Sequence, residues 1–200
     1  MASNAVGSER VSRITGIKMT AGDYRTKSPN LPQRIALLGE GNVANQATMP
    51  TVATVITSAQ DAGLKWGFGS PIHAQARILL PVNGGGVGGI PVVVYPQLEA
   101  GSAVAKENTI TVVGTVDKNA NHNVVIAGRT GVDGENYSYS VLKDETATEV
   151  AVKIKDSINN VLGSPFIATS LLGVVTLVCK WKGLTSEELN ASVDVNEVSA

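Results

Sequence analysis

Residues 34–39 read Arg-Ile-Ala-Leu-Leu-Gly, a short apolar run that a glycine closes. A run of this kind, bounded by turn residues, is typical of a buried strand. A second such run, Ile-Pro-Val-Val-Val-Tyr, occupies residues 90–95. Two helix starts lie between the runs, so we expect the order strand, helix, helix, strand. Two apolar strands joined by a helical crossover predict a parallel pair, and hence an α/β layer.

The two helix starts carry recognisable capping residues. Ser58 can accept a hydrogen bond from a free backbone amide, and Asp61 adds an acid to the first turn. We expect this helix to end near Gly67 or Gly69. Ser70-Pro71 predicts the second helix, because proline at the first helical position loses no hydrogen bond.

A run of glycines at residues 84–89 separates the second predicted helix from the second strand. A phosphate-binding loop instead follows a strand, precedes a helix and ends in Lys-Ser/Thr. The order of elements is reversed here and the lysine is missing. We interpret the run as a flexible connector.

From Lys106 onward the sequence becomes rich in short β-type segments. Apolar residues recur at every second position, the period of half-buried strands. These residues are Ile110 and Val112, then Tyr137, Tyr139 and Val141, then Val175, Leu177, Cys179 and Trp181. The acidic residues Asp117, Asp133, Glu135 and Asp144 are interpreted as turn formers.

One helix interrupts this β-rich series. Thr146 and Glu149 form a capping box, and an apolar stripe of Val150, Ile154, Ile158 and Val161 follows at helical spacing. A stripe of this kind favours packing against a sheet. We therefore expect an α+β arrangement in which five or six strands pack on one helix.

Charge is distributed unevenly along the chain. Residues 1–34 hold six basic and two acidic residues, a net charge of +4, whereas residues 35–105 carry −1 and residues 106–200 carry −4. Electrostatics would favour docking of the basic segment on a neighbouring molecule. The expected organisation is an extended N-terminal arm at 1–33, an α/β body at 34–105 and a β-rich α+β domain at 106–200.

The overall composition excludes several classes of protein. The 200 residues are 43% hydrophobic and 16% charged, with a formal net charge of −1, so nothing recruits nucleic acid as a partner. No apolar stretch approaches the roughly 20 residues of a membrane helix. The N-terminus lacks the features of a secretory signal, and the single cysteine, Cys179, lies in an apolar run. We expect it to be buried in a protein made in a reducing cytoplasm.

The sequence Gly39-Glu-Gly-Asn-Val-Ala44 matches the dinucleotide fingerprint Gly-x-Gly-x-x-Gly/Ala. Pro50 would break the helix that must follow, and Asp61 lies in a predicted helix cap instead of at the end of a second strand. A dinucleotide-binding oxidoreductase built on Gly39–Ala44 remains an alternative hypothesis.

Other signs of catalysis are weak. The two histidines, His73 in a predicted helix and His122 in a predicted polar turn, have no cysteine or carboxylate at metal-ligand spacing. We expect no enzyme activity, no cofactor and no metal. A second alternative is an adhesive or carbohydrate-binding β module, which Tyr137, Tyr139 and Trp181 would serve.

The order of these segments resembles the N-terminal part of contractile phage tail sheath proteins of the Mu-like kind. The matching features are the segment Pro29-Asn-Leu-Pro-Gln-Arg34, the strand that ends at Gly39 and the step Gly69-Ser-Pro71. Residues 108–196, with the run Val174–Lys180 and the tail Lys182–Glu187, resemble the β-rich domain inserted in those sheaths.

The resemblance implies a structural subunit of the virion tail, made in the host cytoplasm. It would assemble with other copies of itself, in rings or a helix, around a tail tube that contraction drives through the bacterial envelope. Partners would include tail tube, baseplate and tail terminator proteins, with no nucleic acid and no membrane insertion. The family's C-terminal inner domain would be missing here.

In that family the N-terminal arm adds a strand to a neighbouring subunit. The residues of this chain that would make the contact are Val11, Ile14 and Ile17 as apolar anchors, with Arg13, Lys18 and Arg25 as basic contacts.

Overall fold

A computed structural model describes residues 33–128 and 135–195. The described residues form four helices and three small sheets, so the predicted mixture of helices and strands is confirmed. The strands are β1 (Ile35–Glu40), β2 (Thr54–Ile56), β3 (Val92–Gln97), β4 (Glu107–Thr111), β5 (Ala120–Ala127), β6 (Glu135–Val141), β7 (Phe166–Leu171), β8 (Val174–Cys179) and β9 (Asn190–Asp194). The helices are α1 (Ala59–Trp66), α2 (Pro71–Leu79), α3 (Ala147–Asn159) and α4 (Leu184–Glu187).

The first sheet has the strand order β1-β3-β2. β1 and β3 are parallel, with Ile35 opposite Val92, which confirms the predicted parallel pair. β2 runs antiparallel to β3 and was not predicted, because three residues are too short to show a strand period. Leu37, Trp66 and Ile72 are buried in the core that this sheet forms with α1 and α2.

Both predicted helix starts are confirmed. The Ser58 hydroxyl accepts a hydrogen bond from the Asp61 amide at 3.0 Å and begins α1. Ser70 accepts one from the His73 amide at 3.1 Å, with proline in the first turn of α2. α1 ends at Trp66, and Gly67 caps it with a φ of +96°, which favours glycine.

The β-rich part contains two antiparallel sheets, with strand orders β4-β8-β7 and β6-β5-β9. α3 has both hydrogen bonds of the predicted capping box and buries Val150, Ile154 and Ile158. Val161 does not belong to this stripe: α3 ends at Asn159, and the Val161 side chain is exposed. The alternating residues of β6 and β8, together with Cys179 and Trp181, are buried as predicted.

Two polar residues lie in strands instead of the turns predicted for them. His122 belongs to β5, and its ring packs edge-on against Tyr139 at a centroid distance of 5.7 Å. Glu135 begins β6 and pairs with Arg77. Both predictions were wrong because polar residues near a turn give no strand signal, and only the cross-strand partners place them. Asp117 lies outside the strands and helices and Asp144 lies in a turn, while Asp133 is outside the described residues.

The predicted arm and its site residues lie beyond the described part of the chain. Val11, Arg13, Ile14, Ile17, Lys18 and Arg25 all belong to this region, and only Gln33 of the arm is described. The boundaries of the three predicted segments therefore stay predictions. Within the ranges described, no helix is long and apolar enough to cross a membrane.

Candidate interaction surfaces

The loop that carries the dinucleotide fingerprint has a structural role in this fold. After Gly41 the chain enters a single 3-10 turn, Val43–Asn45, and no α-helix begins there. A side chain at Gly41 would place its Cβ 2.7 Å from the Met49 sulfur. A side chain at this position would require Met49 to shift, so close packing of the protein on itself accounts for the glycine and gives the nucleotide hypothesis no support.

Two backbone amides of this loop also donate hydrogen bonds within the protein. The Asn42 amide donates to the Trp66 carbonyl at 2.8 Å, and its side-chain nitrogen donates to the Phe68 carbonyl at 2.9 Å. The Val43 amide donates to the Lys180 carbonyl, also at 2.8 Å. A pyrophosphate needs such amides for itself, so these bonds join segments of the protein in place of a ligand.

Lys180 links residues 34–105 to residues 106–200. Its Nζ donates to the Phe68 carbonyl at 3.3 Å and to the Leu162 carbonyl at 3.4 Å. Burial lowers the pKa of the Lys180 ammonium from its ordinary value. Because a partly buried ammonium needs hydrogen-bond partners, the side chain holds these two carbonyls together.

A second link joins β1 to α4. The Thr185 hydroxyl donates to Glu40 Oε2 at 2.7 Å and accepts from Trp181 Nε1 at 3.1 Å. The carboxylate therefore receives a charge-assisted bond from the opposite part of the chain.

A third link lies along α2. Arg77 Nη1 is 2.6 Å from Glu135 Oε1, and the Tyr137 hydroxyl donates to Glu135 Oε2 at 3.2 Å. Burial raises the pKa of the Tyr137 hydroxyl above its usual range, so it stays protonated and available as a donor. We call the contact between residues 34–105 and residues 106–200 the seam. Its residues are Glu40, Val43, Phe68, Gly69, His73, Arg77, Glu135, Tyr137, Ser164, Lys180 and Thr185.

A tight backbone contact across the seam occurs at Gly69. A Cβ at this position would lie 2.1 Å from the Ser164 carbonyl oxygen, and the φ of Gly69 is +83°. The neighbouring His73 ring is buried, and its Nδ1 accepts from the Gly69 amide at 3.2 Å. Burial, then the nearby Arg77 and Lys180 charges, lower the pKa of His73. His73 is thus a buried, neutral residue of α2, and its predicted place in a helix is confirmed.

Apolar side chains are exposed on one face of the first sheet. Leu37 faces α1 and α2, so its neighbour Leu38 points to the opposite face and is 57% exposed. Leu38 lies beside Tyr95 in the register, and both Tyr95 and Val55 are exposed as well. Parallel sheets are normally covered on both faces, so this face has the character of a contact surface.

The hairpin between β7 and β8 also exposes apolar side chains. Leu172 is 81% exposed and has a φ of +46°, a conformation that leucine rarely adopts. Leu171 and Val113 are also exposed, and the Val112 amide donates to the Gly173 carbonyl at 2.9 Å, which places Val113 near the hairpin.

The aromatic residues of the predicted carbohydrate-binding alternative do not line a surface. Tyr137, Tyr139 and Trp181 are all buried in the core of the β-rich part. The outer face of its second sheet instead carries Asn-Ser pairs, such as Ser138 with Asn123 at 2.6 Å. Without exposed aromatic rings, this alternative loses the residues that motivated it.

A cavity of about 290 Å³ lies between the sheets and α3, with His122 and Tyr139 among its lining residues. His122 Nδ1 is buried and has no hydrogen-bond partner within the described residues. Water can satisfy such an atom in a space of this size. Groups of three or more residues able to hold a metal ion are absent from the described ranges.

Comparison with known proteins gives one informative similarity. No family model matches the chain. The chain is 25% identical over 162 residues to the Mu-like prophage FluMu tail sheath protein of Haemophilus influenzae (strain Rd). The aligned region covers 81% of this chain and 31% of that protein, so this chain spans about a third of the length of the relative. This similarity supports a relationship to phage tail sheaths and a structural role.

Proposed function

We propose that this protein is a structural subunit of a contractile phage tail sheath. It assembles with copies of itself around a tail tube, and contraction of the assembly drives the tube through the bacterial envelope. The observation that carries the proposal is the similarity to a tail sheath protein over 81% of the chain. A subunit of this kind performs no catalysis and requires no cofactor.

The seam is consistent with a subunit that transmits force. Polar links from Glu40, Phe68 and Arg77 to the β-rich part, with the tight contact at Gly69, couple residues 34–105 to the remainder. Because interlocked backbone segments resist shear better than isolated surface ion pairs, such a subunit moves as a block.

The exposed apolar residues form two surfaces that could contact other copies of the chain. The face with Leu38, Val55 and Tyr95 and the hairpin with Leu172 are different surfaces of one chain. Contacts between unlike surfaces build rings or helices, the symmetries of a sheath. The proposed partners are other copies, the tail tube, and the baseplate and tail terminator proteins; the proposed location is the virion tail, reached from the host cytoplasm.

The test is sedimentation of the native gene product from a lysate of the source, followed by immunoblotting and immunogold electron microscopy. We expect the antigen to sediment with tail-like particles and the gold label to decorate the outside of the tail along its length. Antigen confined to soluble fractions, or label confined to the capsid, would exclude the sheath function. A capsid or baseplate protein from the same lysate serves as the control for particle recovery.

A further inference from the structure

The glycine loop, residues 80–91 between α2 and β3, contains an Asn83-Gly84 step. It is the only Asn-Gly pair in the sequence. In such a pair the backbone nitrogen that follows asparagine can reach the side-chain carbonyl carbon, because glycine has no Cβ to obstruct the approach. We propose that Asn83 is a site of spontaneous deamidation, a covalent modification that changes the charge of this loop.

The reaction balances without any added reagent except water. The Gly84 nitrogen loses its proton to solvent and attacks Cγ of Asn83, which forms an N–Cγ bond and breaks the Cγ–Nδ2 bond. Ammonia leaves, and a five-membered succinimide remains. Water then opens the ring at either carbonyl, which yields aspartate or isoaspartate and adds one negative charge.

The surroundings of Asn83 permit ring closure. Asn83 and Gly84 are exposed, and no heavy atom lies within 4 Å of a Cβ built on Gly84. The Gly84 amide makes a turn hydrogen bond to the Pro81 carbonyl at 3.2 Å, which must open before attack. Because this bond is exposed, water can replace it at small cost. Glycine at both 84 and 85 imposes few steric limits on the backbone, which favours the rearrangement that ring closure requires.

Other asparagines in the fold lack these features. Asn42 is buried, and its side-chain nitrogen donates to Phe68. The side chain of Asn159, at the end of α3, bonds to both backbone groups of Ala168, at 2.8 Å and 2.9 Å. These bonds restrain both side chains, and no other asparagine of the sequence precedes a glycine, so deamidation should be fastest at Asn83.

The fold can also tolerate the product. The Val87 amide donates to the Leu79 carbonyl at 3.1 Å and closes the base of the loop. Isoaspartate adds one atom to the backbone, and that atom falls within the open part of the loop, where nothing packs on Gly84 or Gly85. The modified protein should therefore remain folded.

The experiment is peptide mapping of the full chain after incubation at mildly alkaline pH. Trypsin releases residues 78–106, a peptide that contains Asn83 as its single asparagine. We expect this peptide to gain about 1 Da, or about 3 Da in water labelled with oxygen-18, as a hydroxyl from solvent replaces the amide nitrogen. Methylation of the product by an isoaspartyl methyltransferase identifies isoaspartate, and Asn83→Gln should abolish the change.

A matched control tests whether the open loop, and not the Asn-Gly pair alone, makes Asn83 reactive. Leu172→Asn creates a second Asn-Gly step, held in the tight turn between β7 and β8. In this variant, position 83 should deamidate at least severalfold faster than position 172, with circular dichroism confirming that the protein stays folded. The proposal is overturned if Asn83 remains intact in the folded protein while the guanidinium-unfolded chain deamidates there. Equal rates at positions 172 and 83 would refute the argument that the open loop makes Asn83 reactive.

Discussion

Gly69 and Gly84 show how differently two glycines with similar backbone angles can matter. Their φ values are +83° and +79°, so both positions disfavour any other residue. Gly69 faces the Ser164 carbonyl across the seam, whereas Gly84 has no neighbour within 4 Å of a Cβ. Packing, and not backbone conformation alone, distinguishes the two positions.

Gly69→Ala should therefore destabilise the protein far more than Gly84→Ala. The substitution at Gly84 adds only left-handed strain, about 1 kcal/mol. At Gly69 a Cβ 2.1 Å from a carbonyl oxygen forces backbone displacement, for which we expect a loss of about 3 kcal/mol or more. The free energy of unfolding from urea titration measures both variants. Equal losses would show that the contact with Ser164 is not tight.

His73 should make stability depend on pH. Its pKa is below the ordinary value of 6.5, so below that pH the unfolded chain binds a proton that the folded protein does not. The neutral state of His73 thus contributes stability above pH 6.5, and this contribution is lost as the pH falls toward the folded pKa.

We expect His73→Gln to flatten the loss of stability between about pH 7.5 and about pH 5. Glutamine is neutral throughout this range and can still accept a bond from the Gly69 amide. Urea midpoints at several pH values provide the measurement. A variant that loses as much stability over this range as the unmodified protein would refute the assignment.

At the level of elements, the hairpin between β7 and β8 has continuous antiparallel pairing but an unfavourable residue in its turn. Leu171 pairs with Val174, which leaves Leu172 and Gly173 as a two-residue loop with φ values of +46° and +85°. Positive φ at both positions defines a type I′ turn, for which Asn-Gly is strongly preferred. Leucine at this position therefore costs folding stability, in keeping with the proposed use of this hairpin in contacts between copies.

Leu172→Asn should accordingly stabilise the isolated subunit by about 0.5–1 kcal/mol. Leu171→Asn, in the strand beside it, serves as the control and should be neutral or destabilising. Thermal and urea unfolding of freshly purified protein measure the difference. A destabilised Leu172→Asn variant would mean that the leucine side chain is needed by the subunit itself.

On the scale of the whole molecule, the seam determines whether the two cores of the described residues unfold together. Trp66 lies in the core formed with the first sheet, and Trp181 lies in the core of the β-rich part. The chain has only these two tryptophans, and each is buried. Each ring therefore reports on unfolding of its own core.

We expect the Trp66→Phe and Trp181→Phe variants to show superimposable transitions by fluorescence and circular dichroism. In each, the remaining tryptophan follows its own core, and the seam couples the two cores into one cooperative unit. Fluorescence and dichroism of each variant in urea provide the measurement. A fluorescence midpoint that departs from the dichroism midpoint in either variant would show two independent domains.

Local patterns in the sequence determined most of the elements. Ser58, Ser70 and the Thr146–Glu149 box begin helices where predicted, because capping depends on residues a few positions apart. The alternation in β6 and β8 likewise gave strands and their buried faces, since strand period is a local property. The apolar run at β1 gave a strand, but the prediction that it is buried was wrong, because only Leu37 is fully buried and its neighbour Leu38 is exposed. The resemblance to tail sheaths also came from the order of these segments.

Only the tertiary structure decided how these elements pair and which side chains contact one another. β2 is a strand only because β3 lies beside it, and His122 and Glu135 take their places from partners far along the chain. The fold gives the fingerprint at Gly39–Ala44 no support, because a 3-10 turn follows it in place of a helix and Met49 and Trp66 pack beside Gly41. Lys180, the central residue of the seam, gave no signal in the sequence, since its carbonyl partners become neighbours only when the chain folds.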